Sequence, residues 1–253
     1  MKIAVIGARG FVGKACVNEL KKRDENPIPL SREDSLPENI QGVIIACPIE
    51  ERDFEVPIVD CSGSLLNTTL VLPGVTSLEA TRMRIPNCMA SLIAQALAPL
   101  HKKSNITSLL ATCMQSVSGA GWRGVRALEQ KNTGELFGGE LANNILPHEK
   151  YEEEERAIQN DLHELFNCKV SVTSFRVPVF VGHTASIRIE TAQQIEPSLL
   201  KCNETFDPLT MENKQHVAIG RVRIQKKTAD LVVCGNQLTC GTAIPAVISI
   251  LRS

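Results

Sequence analysis

The sequence lacks the features that mark several specialised classes of protein. It contains no CxxC pair and no Cys/His spacing of the kind that binds zinc. Its 253 residues carry a formal net charge of -1, so attraction to nucleic acid or to a membrane surface is not expected. No apolar run approaches the length of a membrane span, and repeats and low-complexity segments are missing. We therefore expect no metal site, no nucleic-acid partner and no membrane partner.

The nine cysteines are odd in number and irregularly spaced. The short N-terminal apolar run ends too soon for a secretory signal, so this pattern favours reduced thiols over a disulfide framework. Hydrophobic residues make up 43% of the chain and charged residues 22%, which is typical of a globular protein. The composition predicts a cytoplasmic protein of one large or two modest domains.

The N-terminal segment predicts a dinucleotide-binding turn. A short apolar strand at 2–6 is followed by the glycine-rich stretch Gly7-Ala8-Arg9-Gly10-Phe11-Val12-Gly13 and by a helix predicted over 11–22. Glycines in such a turn let the backbone approach a pyrophosphate, which rests on the helix N-terminus. An ordinary strand-to-helix turn is the alternative.

A second strand, predicted over 27–30, ends at Ser31 and Arg32. A dinucleotide fold contacts the adenosine ribose at this point, and these two residue types favour the 2′-phosphate of NADP. Glu33 and Asp34 follow, so a solvated loop is the alternative. Further strands predicted at 43–47, 56–61 and 70–75 indicate a shortened doubly wound sheet.

Cys88 is the candidate nucleophile. Pro86 disfavours a helix at the preceding residue, Asn87 is a good helix cap, and apolar residues at 89, 92, 93, 96 and 97 have helical spacing. Cys88 is therefore expected in the first turn of a helix, where the dipole and unpaired N–H groups stabilise a thiolate. A buried, unreactive cysteine is the alternative.

The second half predicts a different sheet. Strands are expected at 106–112, 169–179, 184–190, 217–223 and 231–234, with helices at 122–131, 149–166 and 243–251. Arg176 and His183 are seven residues apart, which would place them on opposite faces of one strand, so the chain must bend near Pro178 and Gly182 if both serve one site.

Seven segments, in this order, resemble aspartate-β-semialdehyde dehydrogenases: residues 7–13, 86–88, 115–121, 144–148, 176–184, 217–223 and 236–238. The resemblance implies an α/β protein with a Rossmann-like NADP-binding domain at 1–87 with 237–253. A catalytic and dimerisation domain of α+β type, with a mostly antiparallel sheet, is implied at 88–236. It also implies interconversion of aspartate semialdehyde and aspartyl phosphate, in amino-acid biosynthesis, by a homodimer or a dimer of dimers.

The resemblance also implies roles for individual residues. The catalytic residues would be Cys88 as nucleophile, His183 as acid/base and Gln115 to orient the acyl intermediate. Apart from the resemblance, the N–H groups of Asn87 and Cys88 at the predicted helix start are suited to hold an oxyanion. Arg176 would bind the substrate carboxylate, and Glu153 and Arg156 the amine and phosphate, although the acidic run allows a shift of one residue. Cofactor contacts would come from Gly7, Arg9, Gly10, Phe11, Val12, Gly13, Ser31, Arg32, Ser118, Gly119 and Gln237.

Two departures from the family pattern leave alternatives open. The chain is shorter than usual members, and Leu66 stands where the family has a phosphate-binding Arg. A related acyl-phosphate reductase with another substrate, or a catalytically silent nucleotide-binding paralogue, are therefore the competing hypotheses.

Overall fold

The computed structural model describes residues 1–200, 202 and 207–253. The chain divides into two compact units, one formed by Met1–Cys88 with Leu238–Ser253 and the other by Met89–Gln237. Within the described residues, no helix is both long enough and apolar enough to cross a membrane.

The first unit is built on a six-stranded sheet in which every pairing is parallel. Its strand order is β2-β1-β3-β4-β6-β5. The strands are β1 (Lys2–Ile6), β2 (Asn26–Leu30), β3 (Gly42–Ile45), β4 (Ile58–Asp60), β5 (Thr69–Leu70) and β6 (Arg82–Arg84). The strand order reverses between β1 and β3, and such a switch point is where open α/β sheets bind ligands.

Helices cover one face of this sheet. Helix α1 (Phe11–Lys22) packs there with the C-terminal helix of the chain, around a core that includes Ile3, Val5, Leu20 and Ile250. The opposite face is covered by loop residues such as Leu36, Ile49 and Phe54. This agrees with the prediction of a shortened doubly wound sheet, because the connection between β3 and β4 contains no helix.

The second unit contains a six-stranded mixed sheet with the order β11-β12-β10-β7-β9-β8. Its strands are β7 (Ile106–Gln115), β8 (Leu146–Pro147), β9 (Lys169–Arg176), β10 (His183–Thr191), β11 (Ala218–Gln225) and β12 (Thr228–Gly235). In the part of this unit that the structure describes, only the β7–β9 pairing is parallel, and the other four are antiparallel. The predicted mostly antiparallel sheet is confirmed.

Helix α2 (Cys88–Ser104) begins at the last residue of the first unit and continues into the second. The other helices of the second unit are α3 (Gly121–Glu129), α4 (Gly134–Phe137) and α5 (Tyr151–Phe166). The chain ends in a π-helical turn, Thr239–Ala243, and helix α6 (Ile244–Ile250).

The predicted elements differ from the structure at several points, of which three are instructive. The strand predicted over 70–75 ends at Leu70, because Pro73 and Gly74 (φ +80°) turn the chain and the Val75 N–H bonds back to Leu72 O at 2.9 Å. Strand β6 was missed, because arginines flank its one buried apolar residue, Met83. Helix α2 runs seven residues past the predicted 97, through Pro99.

Candidate active site

Cys88 is the first residue of α2, as the sequence predicts, and the residue is partly exposed. The positive end of the helix dipole favours a thiolate at this position. The π-helical turn packs against it. A Cβ atom at Gly241 would lie 3.0 Å from Cys88 O and 3.3 Å from Cys88 Cβ, so glycine permits this close approach.

Three predicted residues of the second unit end up at one level of the mixed sheet. Gln115 is the last residue of β7 and pairs with Arg176, the last residue of β9. His183 is the first residue of β10, one position beyond the Thr184–Met114 pair. The bend predicted between Arg176 and His183 is confirmed: β9 ends, Gly182 takes φ +101°, and β10 begins on the other side of β7.

Arg176 is 2% exposed, and its guanidinium is held from four directions. Nε and Nη2 donate to the two carboxylate oxygens of Glu149 at 3.1 and 2.6 Å. Nη1 donates to Ser116 O at 2.8 Å, and Nη2 lies 2.6 Å from His148 Nε2. The Phe137 ring lies 5.2 Å from Cζ, within the range of a cation–π contact. This arginine is fixed in place before any ligand arrives.

His183 is buried, and one of its ring nitrogens has no hydrogen-bond partner among the residues that the structure describes. The Ser116 N–H points at Nδ1 from 3.2 Å, and Ser116 Oγ lies 3.0 Å from the same atom. A backbone N–H can only donate, so Nδ1 accepts and the neutral ring carries its proton on Nε2. Nε2 is buried and unpartnered. A buried N–H of this kind is suited to bind or protonate a substrate oxygen.

The environment keeps His183 neutral. Burial lowers its pKa well below the ordinary value, and the charge of Arg176 lowers it further. Burial, followed by the charge of Arg176, also lowers the pKa of His148. Glu149 behaves differently: burial acts to raise its pKa, but hydrogen bonds from Arg176 and the charge of Arg176 hold it below its ordinary value. The cluster therefore contains one ion pair and two neutral imidazoles near neutral pH.

Gln115 is buried, and its Nε2 donates to Glu154 Oε1 at 2.8 Å. Glu153 lies elsewhere: its side chain is 77% exposed and 3.7 Å from Lys150 Nζ. Arg156 is exposed as well. Helix α5 thus presents Glu154 to the predicted site, one position along from the residue that the resemblance indicated.

The turn after β7 carries Ser118 and Gly119, which were predicted to contact the cofactor. Gln237 Nε2 donates to Ser118 Oγ at 2.6 Å, and Gln237 Oε1 accepts from Gly182 N at 3.0 Å. A Cβ atom at Gly119 would lie 3.2 Å from Arg176 Nη1 and 3.4 Å from His183 Nε2. Both ends of the Gln237 amide are therefore hydrogen-bonded within this unit. They link the turn that carries Ser118 to the chain bend at Gly182.

The glycine turn of the first unit has the geometry that a dinucleotide needs. It lies at the carboxyl end of β1, beside the switch point, and leads into the N-terminus of α1. Gly7 has φ +81°, and its N–H bonds to Leu30 O at 2.9 Å. A Cβ atom at Gly13 would lie 2.2 Å from Gly7 O, so only glycine allows this packing of helix on strand. The residues present fit a bound pyrophosphate.

Arg32, one of the two predicted ribose contacts, lines a cleft of mixed charge in the same unit. Arg32 and Glu33 face residues 48–52 across a volume of about 590 Å³. The Ser31 N–H donates to Asp34 Oδ2 at 2.6 Å. Arg9 and Gly10 are exposed, and Phe11 and Val12 are half-buried. Arginine and glutamate side chains both border the cleft, so its charge alone does not distinguish NADP from NAD.

Comparisons with known proteins agree with this architecture. The profile of the semialdehyde dehydrogenase dimerisation domain matches residues 97–240, more than half of the chain. The chain belongs to the semialdehyde dehydrogenase family. The predicted resemblance and the predicted fold class are therefore confirmed, and the chain is an enzyme of this family.

Relatives of this family include aspartate-semialdehyde dehydrogenases from several bacteria. The protein of Rickettsia conorii is 29% identical, over 77% of this chain and 74% of its own length. That of Aquifex aeolicus is 30% identical, over 54% of this chain and 51% of its own. Aspartate semialdehyde dehydrogenase II of Vibrio cholerae, solved in complex with ASA, has a TM-score of 0.82 at 22% identity, covering 99% of this chain and 97% of that one. This last likeness shows the fold.

A buried carboxylate shapes the loop in which the family resemblance predicts a phosphate-binding Arg. Asp60 Oδ1 accepts from Ser62 N at 2.7 Å and from Ser62 Oγ at 2.6 Å, and Oδ2 accepts from Leu65 N at 2.9 Å. Leu66 follows with 68% of its surface exposed. The loop is ordered by these bonds, but position 66 itself offers no cation.

Sequence reasoning missed four residues that the structure places in the Arg176–His183 cluster: Ser116, His148, Glu149 and Glu154. Their residue types are common, so only their positions in the folded structure distinguish them from ordinary polar residues. Ser116 and His148 lie inside segments that carried the resemblance, which was the one available signal. The glutamates stand in an acidic stretch in which no local pattern distinguishes a buried carboxylate from a solvated one.

Proposed function

We propose that this chain is an NADP-dependent dehydrogenase that interconverts aspartate semialdehyde and aspartyl phosphate through a thioester on Cys88. The observation that carries the proposal is the buried cluster of Gln115, Arg176 and His183 with its unpartnered His183 Nε2. The cluster occurs in a chain whose candidate thiol begins a helix. The substrate is inferred from the related proteins, which are aspartate-semialdehyde dehydrogenases.

In the biosynthetic direction, the Cys88 thiolate attacks the acyl carbon of aspartyl phosphate, and the C–O bond to phosphate breaks. The N–H groups of Asn87 and Cys88, at the start of α2, stabilise the oxyanion that forms. The product of this half-reaction is a thioester on Sγ. Gln115, fixed by Glu154, orients the acyl group.

The nicotinamide of NADPH supplies the hydride that reduces the thioester carbon. The Nε2–H of His183 donates a hydrogen bond to the oxygen of the resulting thiohemiacetal and stabilises its negative charge. The Ser116 N–H and hydroxyl, 3.2 and 3.0 Å from Nδ1, hold the ring in this tautomer. Collapse of the thiohemiacetal releases the aldehyde and restores the thiolate.

Arg176 binds the substrate carboxylate, because a guanidinium makes two parallel hydrogen bonds to a carboxylate. Glu154, and not Glu153, is the candidate for the substrate ammonium, because it reaches Gln115. The glycine turn and α1 bind the NADP pyrophosphate, and Arg32 with Ser31 binds the 2′-phosphate. We further propose a homodimer that forms through the domain matched by the family profile.

A second candidate function is reduction of a different acyl phosphate. Exposed Leu66 favours it, because the loop ordered by Asp60 carries no cation at that position. The test is reduction of NADP⁺ by aspartate semialdehyde with and without inorganic phosphate, run beside NAD⁺ and other small semialdehydes. Phosphate-dependent turnover that favours aspartate semialdehyde supports the proposal. Faster turnover of another aldehyde supports the second candidate, and no turnover of any aldehyde supports a silent paralogue.

A further inference from the structure

Glu149 occupies the edge of Arg176 that a carboxylate ligand would use. Its oxygens accept from Nε and Nη2 in the two-pronged geometry typical of arginine with a carboxylate. A third guanidinium N–H donates to Ser116 O, and Nη2 also lies 2.6 Å from His148 Nε2. No second two-pronged edge is left for another carboxylate.

Arg176 does not depend on Glu149 for its position. Ser116 O, His148 Nε2 and the Phe137 ring hold the guanidinium from its other sides. If the Glu149 side chain rotated away, the guanidinium would stay where it is with Nε and Nη2 open.

The side chain of Glu149 is able to leave. It is 17% exposed, against 2% for Arg176, so it borders solvent. It lies just before α5, which begins at Tyr151. Among the described residues, its carboxylate hydrogen-bonds to the side chain of Arg176 and lies 3.9 Å from His148 Nε2. Rotation would therefore break no hydrogen bond to any other side chain.

We propose that Glu149 is a built-in competitor for the substrate carboxylate: it pairs with Arg176 in the unliganded protein, and a carboxylate-bearing substrate displaces it. The inference rests on the proposed function, in which Arg176 binds that carboxylate. Displacement lowers the apparent affinity by the fraction of molecules in which the edge is open. It also spares the empty site an unpaired buried charge, which is costly.

Calorimetric binding of an unreactive ligand tests this proposal without turnover. The probe is L-2-aminobutyrate, which has the substrate's carbon skeleton with a methyl group in place of the aldehyde. Propylamine, which lacks the carboxylate, is the companion probe. Each is titrated into the wild-type protein, into Glu149→Gln and into Glu152→Gln, a matched control at an exposed position of α5.

Glu149→Gln is expected to bind L-2-aminobutyrate about tenfold more tightly than the wild type. Glu152→Gln is expected to match the wild type, and propylamine is expected to distinguish none of the three proteins. Equal or weaker binding by Glu149→Gln, or no binding to any of them, overturns the proposal and makes Glu149 a permanent structural partner of Arg176. If thermal melting indicates that Glu149→Gln is unfolded, Glu149→Asp is the substitute variant. Its side chain is one methylene shorter and holds the carboxylate farther from the guanidinium, so a smaller gain of the same sign is expected. Equal or weaker binding by Glu149→Asp also overturns the proposal.

The kinetic counterpart separates this inference from the proposed function. If the wild type turns over aspartate semialdehyde, Glu149→Gln is expected to lower KM and leave kcat unchanged. An unchanged KM would refute the role of Glu149 alone. A wild type without any such turnover would refute the proposed function, while calorimetry still decides whether Glu149 competes for the arginine.

Discussion

The two candidate sites of this chain are made of different parts of the polypeptide. In the first unit, the site is mostly backbone: a turn with Gly7 at φ +81°, the packing at Gly13, and the N-terminus of α1. In the second unit it is made of side chains from three strands, with Arg176 and His183 almost completely buried. In the backbone site, most side chains can be replaced, but a Cβ atom cannot be added at the close-packed glycines. The side-chain site depends on each hydrogen-bonding group. Substitutions in the first unit should therefore weaken cofactor binding, and substitutions in the second should impair substrate binding or catalysis.

The largest effect is expected at the nucleophile. Cys88→Ser should lower kcat by at least about 10⁴-fold while cofactor affinity is unchanged, because the alkoxide needed for attack is far less accessible than a thiolate. Steady-state kinetics and NADP titration measure the two quantities. Cys202→Ser, at an exposed cysteine, is the control and should retain full activity. Activity within tenfold of the wild type in Cys88→Ser would contradict covalent catalysis.

Arg176→Lys should have the next largest effect. Lysine keeps the positive charge but cannot make two parallel hydrogen bonds to a carboxylate. We therefore expect kcat/KM for aspartate semialdehyde to fall about 10²-fold, mainly through a higher KM. The matched control is Arg188→Lys, because Arg188 is half-exposed and pairs with Asp230 at 3.2 Å. A fall confined to kcat would place Arg176 in the chemical step and not in binding.

Gly13→Ala tests the backbone site. The added Cβ would lie 2.2 Å from Gly7 O, so the helix or the turn must shift, at a cost of about 1–3 kcal/mol. NADP affinity should fall, and KM for the aldehyde should change little. Gly134→Ala is the control, because its Cβ position has no non-local neighbour within 4 Å among the described residues. Equal NADP affinity in both variants would mean that the glycine turn does not bind the cofactor.

The same contrast explains what the sequence could predict. The glycine turn and Cys88 were found because their signals are local: a strand, a turn and a helix start lie within a dozen residues. The Gln115–Arg176–His183 cluster came only from the family resemblance, because the strand order β10-β7-β9 cannot be derived from spacing. The pairing of Glu149 with Arg176, and of Glu154 with Gln115, could not be predicted, because it depends on which face of one acidic helix, and of the turn before it, is buried.

The smallest effect concerns the pH dependence of stability. The pKa of His183 is lowered in the folded protein by burial, so the unfolded chain binds a proton that the folded chain does not. The stability that this group contributes is present above the unfolded value of about 6.5 and is lost as the pH falls below it, by up to about 1.4 kcal/mol per pH unit. Melting temperatures between pH 7.5 and 5.0 should fall less steeply in His183→Asn than in the wild type. The control His216→Asn, at an exposed position, should follow the wild type, and identical slopes in all three would contradict the buried neutral imidazole.

Mass spectrometry of the acyl-enzyme tests the central claim most directly. The protein is mixed with aspartate semialdehyde and NADP⁺ in the absence of phosphate, quenched in acid and digested. The proposed mechanism predicts an aspartyl adduct on the peptide that carries Cys88, dependent on NADP⁺ and removed by phosphate. Turnover without such an adduct, or an adduct on a different cysteine, would contradict it.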